Sequence, residues 1–179
     1  VILLDVNVLV DAFRGDQPRH PAVRAWFDRV VEGDTSFGIP ELALSGFLRV
    51  VTHPRVFNEP DDIEDALVFA ERLRELPHAI AVRPGDRHWS IFTRLCRATR
   101  AVGNGVPDAY LAAMAIESGS EMITGDRGFA RFPGLRWRDP AAGLSQLAQA
   151  APPDATFAED MEAVLDAIGP APGDPWTRS

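Results

Sequence analysis

Four carboxylates in this sequence are placed where they could act together. Asp5 directly follows the apolar run Val1-Ile2-Leu3-Leu4, and Glu41 follows a second apolar stretch at a helix start. Asp108 stands in the first turn of a helix just past Gly103-Asn104-Gly105, and Asp126 follows a fourth apolar stretch through Thr124-Gly125. Like charges gathered in one place cannot all stay ionised unless a cation neutralises them. An all-oxygen site of this kind suits a hard divalent cation such as Mg²⁺ or Mn²⁺. The chemistry it fits is phosphodiester hydrolysis, where such a cation activates water and offsets charge on the attacked phosphate. Each acid also has an ordinary use. Asp126 could shape a turn, and Asp108 and Glu41 could be first-turn partners of a helix dipole. Asp5 is hardest to explain that way, because an acid closing an apolar strand is partly buried and needs a partner.

The elements that must position these acids follow from periodicity. Val1–Leu4 reads as a strand buried on both faces, as at the centre of a parallel sheet. A short helix through Val10 to Phe13 follows, then a helix with Val23, Phe27 and Val30 at helical spacing. Ser36–Ile39 is a second strand, and Pro40-Glu41 opens a helix carrying Leu44, Phe47, Leu48 and Val51 on one side. Asp61 or Asp62 can cap a helix with Ile63, Leu67, Phe69, Ala70 and Leu73 as its apolar positions. Ala79–Val82 is a third strand, and Asp86 starts a helix with Trp89, Ile91, Phe92 and Leu95. A helix from about Pro107 to Ser118 ends at Gly119. Glu121–Thr124 and Leu135–Arg138 complete the strands, giving the order β-α-β-α-α-β-α-α-β-α-β. That alternation predicts a three-layer α/β/α fold with a mainly parallel sheet. Ligands in such folds sit beyond the carboxyl ends of the strands, where the strand order switches. An acid just after a strand is therefore worth more attention than one on a helix face.

Composition narrows the field. The 179 residues suffice for one domain with a core, and 46% are hydrophobic, as in a globular protein. No apolar run approaches the roughly 18 residues of a membrane span, and no signal peptide opens the chain, so the expected location is the cytoplasm. The single Cys96 excludes an internal disulfide and a thiolate zinc cluster, and it reads as a small buried side chain. A net charge of −8 argues against binding nucleic acid by bulk attraction. All 18 basic residues are Arg, which suits bidentate phosphate contacts but also follows from a GC-rich genome. Arg49 and Arg55 are better read as solvated or structural than as phosphate ligands, and His20, His53, His78 and His88 lack ligand spacing. Ala109, Ala112, Ala113 and Ile116 form a row that fits core or a dimer surface.

Three segments together resemble the PIN domains, specifically the VapC-type toxins of bacterial toxin–antitoxin pairs. They are Leu3-Leu4-Asp5-Val6-Asn7-Val8-Leu9-Val10, Val106-Pro107-Asp108-Ala109-Tyr110-Leu111-Ala112-Ala113-Met114-Ala115, and Ile123-Thr124-Gly125-Asp126-Arg127-Gly128-Phe129-Ala130-Arg131-Phe132. The resemblance covers about residues 1–140. It implies a Mg²⁺- or Mn²⁺-dependent endoribonuclease, an RNA substrate, a cognate VapB-like antitoxin and a homodimer, with no membrane partner. Asp5, Asp108 and Asp126 fall on the family's metal-binding acids, Asn7 on their polar neighbour, and Thr124 on a supporting hydroxyl. Glu41 is carried as a fourth ligand or general-base helper. The family usually places that Glu about where Ser45 or Gly46 stands, so Glu41 is roughly one turn early.

The chain divides into a PIN-like domain over 1–141, a linker over 142–151 and an acidic tail over 152–179. Residues 1–141 hold 20 acidic and 17 basic side chains, whereas 142–179 hold 6 and 1. Asp154 can cap a helix with a narrow stripe of Phe157, Met161, Val164, Leu165 and Ile168. Pro172 to Ser179 then runs extended past Trp176 and Arg178. This pattern fits a segment that docks in a groove, helix first and aromatic anchor next. It also resembles the neutralising end of a VapB-type antitoxin, with Trp176 and Arg178 as inhibitory contacts, while an ordinary C-terminal helix stays open. Two other readings compete with the nuclease. One is a catalytically silent PIN-like module that binds RNA or a partner. The other is a phosphatase or receiver domain using Asp5, which Asn7 in place of a second Asp and the lack of any Lys count against.

Overall fold

The computed structural model describes residues 1–142. The proposed linker from 143 on, the acidic tail, Trp176 and Arg178 lie outside the described residues. Five short strands form one sheet: β1 Ile2–Leu4, β2 Phe37–Gly38, β3 Ala79–Ile80, β4 Glu121–Ile123 and β5 Trp137–Arg138. Their spatial order is β3-β2-β1-β4-β5, and all four pairings are parallel. The chain builds outward from β1 to β3, then returns to place β4 on the other side of β1. The switch in strand order therefore falls between β1 and β4, where Leu4 pairs with Ile123.

The helices are α1 Val6–Phe13, α2 His20–Glu32, α3 Glu41–Val51, α4 Ile63–Glu75, α5 His88–Thr99 and α6 Gly105–Ser118. Two helices separate β1 from β2, as the spacing of Val10 to Phe13 and of Val23, Phe27 and Val30 implied, and α1 begins immediately after Asp5. The element between β4 and β5 is a 3-10 turn, Arg127–Arg131. The central strand β1 is buried along its length, as its unbroken apolar run requires. Edge strand β3 leaves Ile80 exposed.

Most helix faces follow their stripes. Val23, Phe27 and Val30 are buried on α2, and Leu44, Phe47 and Val51 on α3. Phe13, Phe27, Phe47 and Phe69 meet ring to ring between α1, α2, α3 and α4. Ala109, Ala112 and Ala113 are core residues, their small side chains letting α6 pack closely. Gly119 ends α6 at φ 66°, the left-handed cap that glycine adopts without strain. Asp62, not Asp61, caps α4, since Asp61 is taken by buried Arg14.

Three expectations need correction. Trp89 is 68% exposed, because α5 turns His88, Ile91 and Leu95 inward and leaves Trp89 off that face. Ile63 lies exposed at the first residue of α4, where Ala66 begins the buried face. Cys96 is half-buried, packed against the edge of the core. Among the described residues, no helix is long and apolar enough to cross a membrane.

Candidate active site

Asp5 sits where β1 ends and α1 begins, 5% exposed. One carboxylate oxygen, Oδ1, accepts the Val6 backbone N–H at 2.7 Å and so caps α1. The other, Oδ2, accepts the Thr124 hydroxyl at 2.6 Å and the Asn7 side-chain amide at 2.8 Å. Thr124, completely buried after β4, uses its full capacity. Its hydroxyl donates to Asp5, and its oxygen accepts from Asn7 Nδ2 at 2.9 Å and from the Asp126 N–H at 3.0 Å. Asn7 Oδ1 accepts the Gly125 N–H at 3.0 Å. A fully partnered seam thus joins the end of β1 to the end of β4 at the switch point.

Asp126 begins the 3-10 turn, its Oδ1 accepting the Gly128 N–H at 2.6 Å. Asp108 faces this seam from the first turn of α6, and its side chain is 25% exposed. Burial pushes the Asp5 carboxyl up to about 6, and the Thr124 and Val6 hydrogen bonds only partly oppose it. Asp108 is pushed up to about 7, first by burial and then by the charge of Asp5, with Arg131 opposing. Asp126 adds to the rise in both. The fold therefore brings Asp5, Asp108 and Asp126 within electrostatic reach of one another, with too little positive charge among them to offset their repulsion.

Glu41 does not join that group. It is the first residue of α3, its side chain is 71% exposed, and its nearest charged partner is Arg74 at 3.9 Å. The helix position that turns toward the start of α1 is Gly46, where a Cβ would stand 2.7 Å from the Cγ2 of Val6. Glu41 is more than one turn, about 7.5 Å of rise, ahead of that position. It instead lines the rim of an apolar groove of about 430 Å³ formed by Leu42, Val82, Phe92, Val106, Tyr110 and Met114, among others. Pro107, next to Asp108 in the chain, lines the groove, but Asp5, Asp108 and Asp126 do not.

Two arginines complete the surroundings. Arg131 Nη2 donates to Asp108 Oδ2 at 2.7 Å. Arg19 pairs with Asp139, approaches Asp11, and lies so close to Gly125 that a Cβ there would meet its guanidinium at 1.7 Å. Neither contact was visible in the sequence. One arginine among 18 carries no local mark of its partner, and these partners lie 23 and 120 residues away.

The donor set suits a divalent cation: three carboxylates, two of them held back from ionising by burial and by neighbouring acids. As the side chains stand, however, no three acidic, imidazole or thiol groups among the described residues are gathered to cage an ion. Asp108 is turned to Arg131, and Asp126 to Gly128.

A family model described as PIN domain matches residues 2–135. The VapC ribonuclease Mb2897 of Mycobacterium bovis is 44% identical over 147 residues, covering 82% of this chain and 100% of that protein. Ribonuclease VapC25 of Mycobacterium tuberculosis is 42% identical over 136 residues, covering 76% of this chain and 96% of its own. Among solved structures, VapBC2 from Rickettsia felis, bound to a DNA fragment from its promoter, superposes with a TM-score of 0.57 at 15% identity. That match covers 77% of this chain and 97% of the other. FitAcB from Neisseria gonorrhoeae gives 0.55 at 21% identity, covering 79% and 99%. These two likenesses are likenesses of fold.

Proposed function

The chain belongs to the PIN-domain family of VapC ribonucleases, and from that premise we propose that it is the endoribonuclease toxin of a toxin–antitoxin pair, dependent on Mg²⁺ or Mn²⁺. The observation that carries this reading is Asp5, a buried carboxylate at the switch point of a parallel sheet, tied by Thr124 and Asn7 to the loop bearing Asp126. Asp5 caps α1 and both its oxygens are satisfied, but by neutral donors, so none of its hydrogen-bond partners balances its charge while two further acids lie close.

In this reading Asp5, Asp108 and Asp126 hold the cation. When bound, it supplies positive charge that stabilises the attacked phosphate and eases deprotonation of water. Thr124 and Asn7 orient Asp5 and fix its spacing from Asp126. Burial excludes water around Asp5 and so strengthens every charge interaction there. Glu41, at the rim, is too far exposed to serve as a fourth ligand without reorienting, and its place in the reading is at the edge of the RNA path. The test is cleavage of a mixed RNA pool by the full chain with Mg²⁺, Mn²⁺ or EDTA, beside Asp5→Asn and Asp108→Asn. Metal-dependent cutting lost in both variants is expected. Cutting that survives EDTA or both substitutions would overturn the reading.

A VapB-like antitoxin is the proposed macromolecular partner, and a homodimer the proposed assembly. Exposed Leu42 and Val106, beside the apolar groove, support a covered surface there. The acidic residues 152–179 are proposed as an antitoxin-like segment, with 142–151 as linker. The match to the M. bovis protein leaves about a fifth of this chain without a counterpart. Removal of 152–179 should raise cleavage by the still-folded remainder. Equal cleavage with and without the segment would remove inhibition from its role.

A further inference from the structure

Arg131 is the last residue of the 3-10 turn that Asp126 opens, and it reaches back over the site to Asp108. Its guanidinium carbon stands 4.8 Å from the ring centroid of Phe132, a buried side chain that serves as a shelf. On its other flank lies Gly105, where a Cβ would stand in van der Waals contact, 3.4 Å from Nη2. The arginine side chain is 42% exposed, at the solvent side of the carboxylates. It is thus held on one side by an aromatic face and on another by one carboxylate oxygen, while the rest of its donor fork stays open.

Two further facts bear on that placement. The three acids do not converge as they stand, and Asp108 is paired with Arg131. A guanidinium also matches a phosphate as readily as a carboxylate, with two parallel N–H donors. A cation binding at Asp108 would remove the negative charge that holds the arginine and place a like charge beside it. A nucleic-acid phosphate arriving at the acids would offer the arginine a new partner within the same reach.

We propose that Arg131 exchanges partners: it occupies Asp108 before the cation binds, and contacts an RNA phosphate once the cation has taken that carboxylate. The inference rests on the nuclease reading for the identity of its substrate. Its first half, competition with the cation, needs no RNA at all.

The experiment compares wild type with Arg131→Gln and Arg131→Lys as full-length proteins, with circular dichroism to confirm folding. Mn²⁺ binding is followed by calorimetry without RNA. Binding of a non-cleavable, 2′-O-methylated RNA is followed by fluorescence anisotropy at several salt concentrations. Arg131→Gln should bind Mn²⁺ about tenfold more tightly, since it removes a charge-assisted hydrogen bond that competes for Asp108. It should bind the RNA about tenfold more weakly, with the salt slope shallower by about 0.7 for the one lost single-strand phosphate contact. Arg131→Lys, which keeps the charge without the fork, should fall between wild type and Arg131→Gln in both assays. Unchanged or weaker Mn²⁺ binding by Arg131→Gln, or an unchanged salt slope, would overturn the exchange. If wild type itself bound no Mn²⁺ and cut no RNA, the nuclease reading would fail. If wild type bound Mn²⁺ and cut RNA while Arg131→Gln matched it in both binding assays, only the exchange would fail.

Discussion

The two halves of the carboxylate site are built differently. On one side, Asp5, Asn7 and Thr124 form a buried seam in which the threonine hydroxyl is saturated and both Asp5 oxygens are held by neutral donors. On the other, Asp108 is partly exposed and is held by one arginine from a short turn. The seam joins two adjacent central strands and cannot shift without leaving buried polar groups unpaired, at about 1–3 kcal/mol each. The Asp108 side is an ion pair near solvent, of the kind whose net worth is small and whose geometry is easily exchanged. The site thus couples a fixed ligand to an adjustable one.

The largest effect should come from removing either half. Asp5→Asn and Asp108→Asn should each lower RNA cleavage by about a thousandfold, equivalent to the several kcal/mol a divalent cation contributes at the phosphate. Measured by single-turnover kinetics, a loss in only one variant would show that the halves do not hold the same ion.

The next effect separates the seam's surroundings from the seam itself. Asp11 is largely buried beside Arg19, and burial pushes its carboxyl up to about 6, with Arg19 opposing and Asp139 reinforcing. A raised carboxyl binds its proton more tightly in the folded state than in the unfolded one. Its contribution is therefore most favourable below about pH 4 and is lost as pH rises through about 6. Asp11→Asn should consequently gain on wild type across that window, by up to about 3 kcal/mol at pH 7. Thermal melts from pH 4 to 7 check it, and a constant difference between the two proteins would refute the assignment.

Thr124→Val tests the seam directly. It strips Asp5 of a donor and leaves the Asp126 N–H without its acceptor, so stability should fall by about 1–3 kcal/mol. Cleavage should fall by about 10–100-fold, as for partners that orient metal ligands. Thr124→Ser, which keeps the hydroxyl, should recover most of the cleavage. Recovery of stability without cleavage would mean that the seam serves the fold alone. Glu41→Gln should have the smallest effect, less than about twofold on cleavage, since an exposed acid 3.9 Å from Arg74 gives little. A large loss would place Glu41 at the reacting phosphate after all.

Much of this arrangement was legible in the chain. An apolar run closed by an acid identifies β1 and Asp5, because continuous burial suits only a central strand. Gly119 marks the end of α6, since its left-handed φ is costly for other residues. The alternation of strands and helices predicted the parallel sheet. The expectation of Glu41 as a fourth ligand rested on a residue's order after β2. Order places an acid at the correct end of the sheet but does not say which way a helix turns its first residue. The same limit applies to Trp89, which α5 leaves off its buried face.

By itself, the sequence determined the strands, the helices and the end of the sheet to which three acids are delivered. Local periodicity and capping operate over a few residues and leave a readable pattern. Only the tertiary structure decided that Asn7 would tie Asp5 to Thr124 and Gly125, that Gly46 rather than an acid would face Val6, and that Arg131 would hold Asp108. Those contacts join residues from 23 to 119 positions apart, and they depend on β4 returning to the flank of β1. No local preference of a threonine or an arginine encodes which distant carboxylate the sheet will bring beside it.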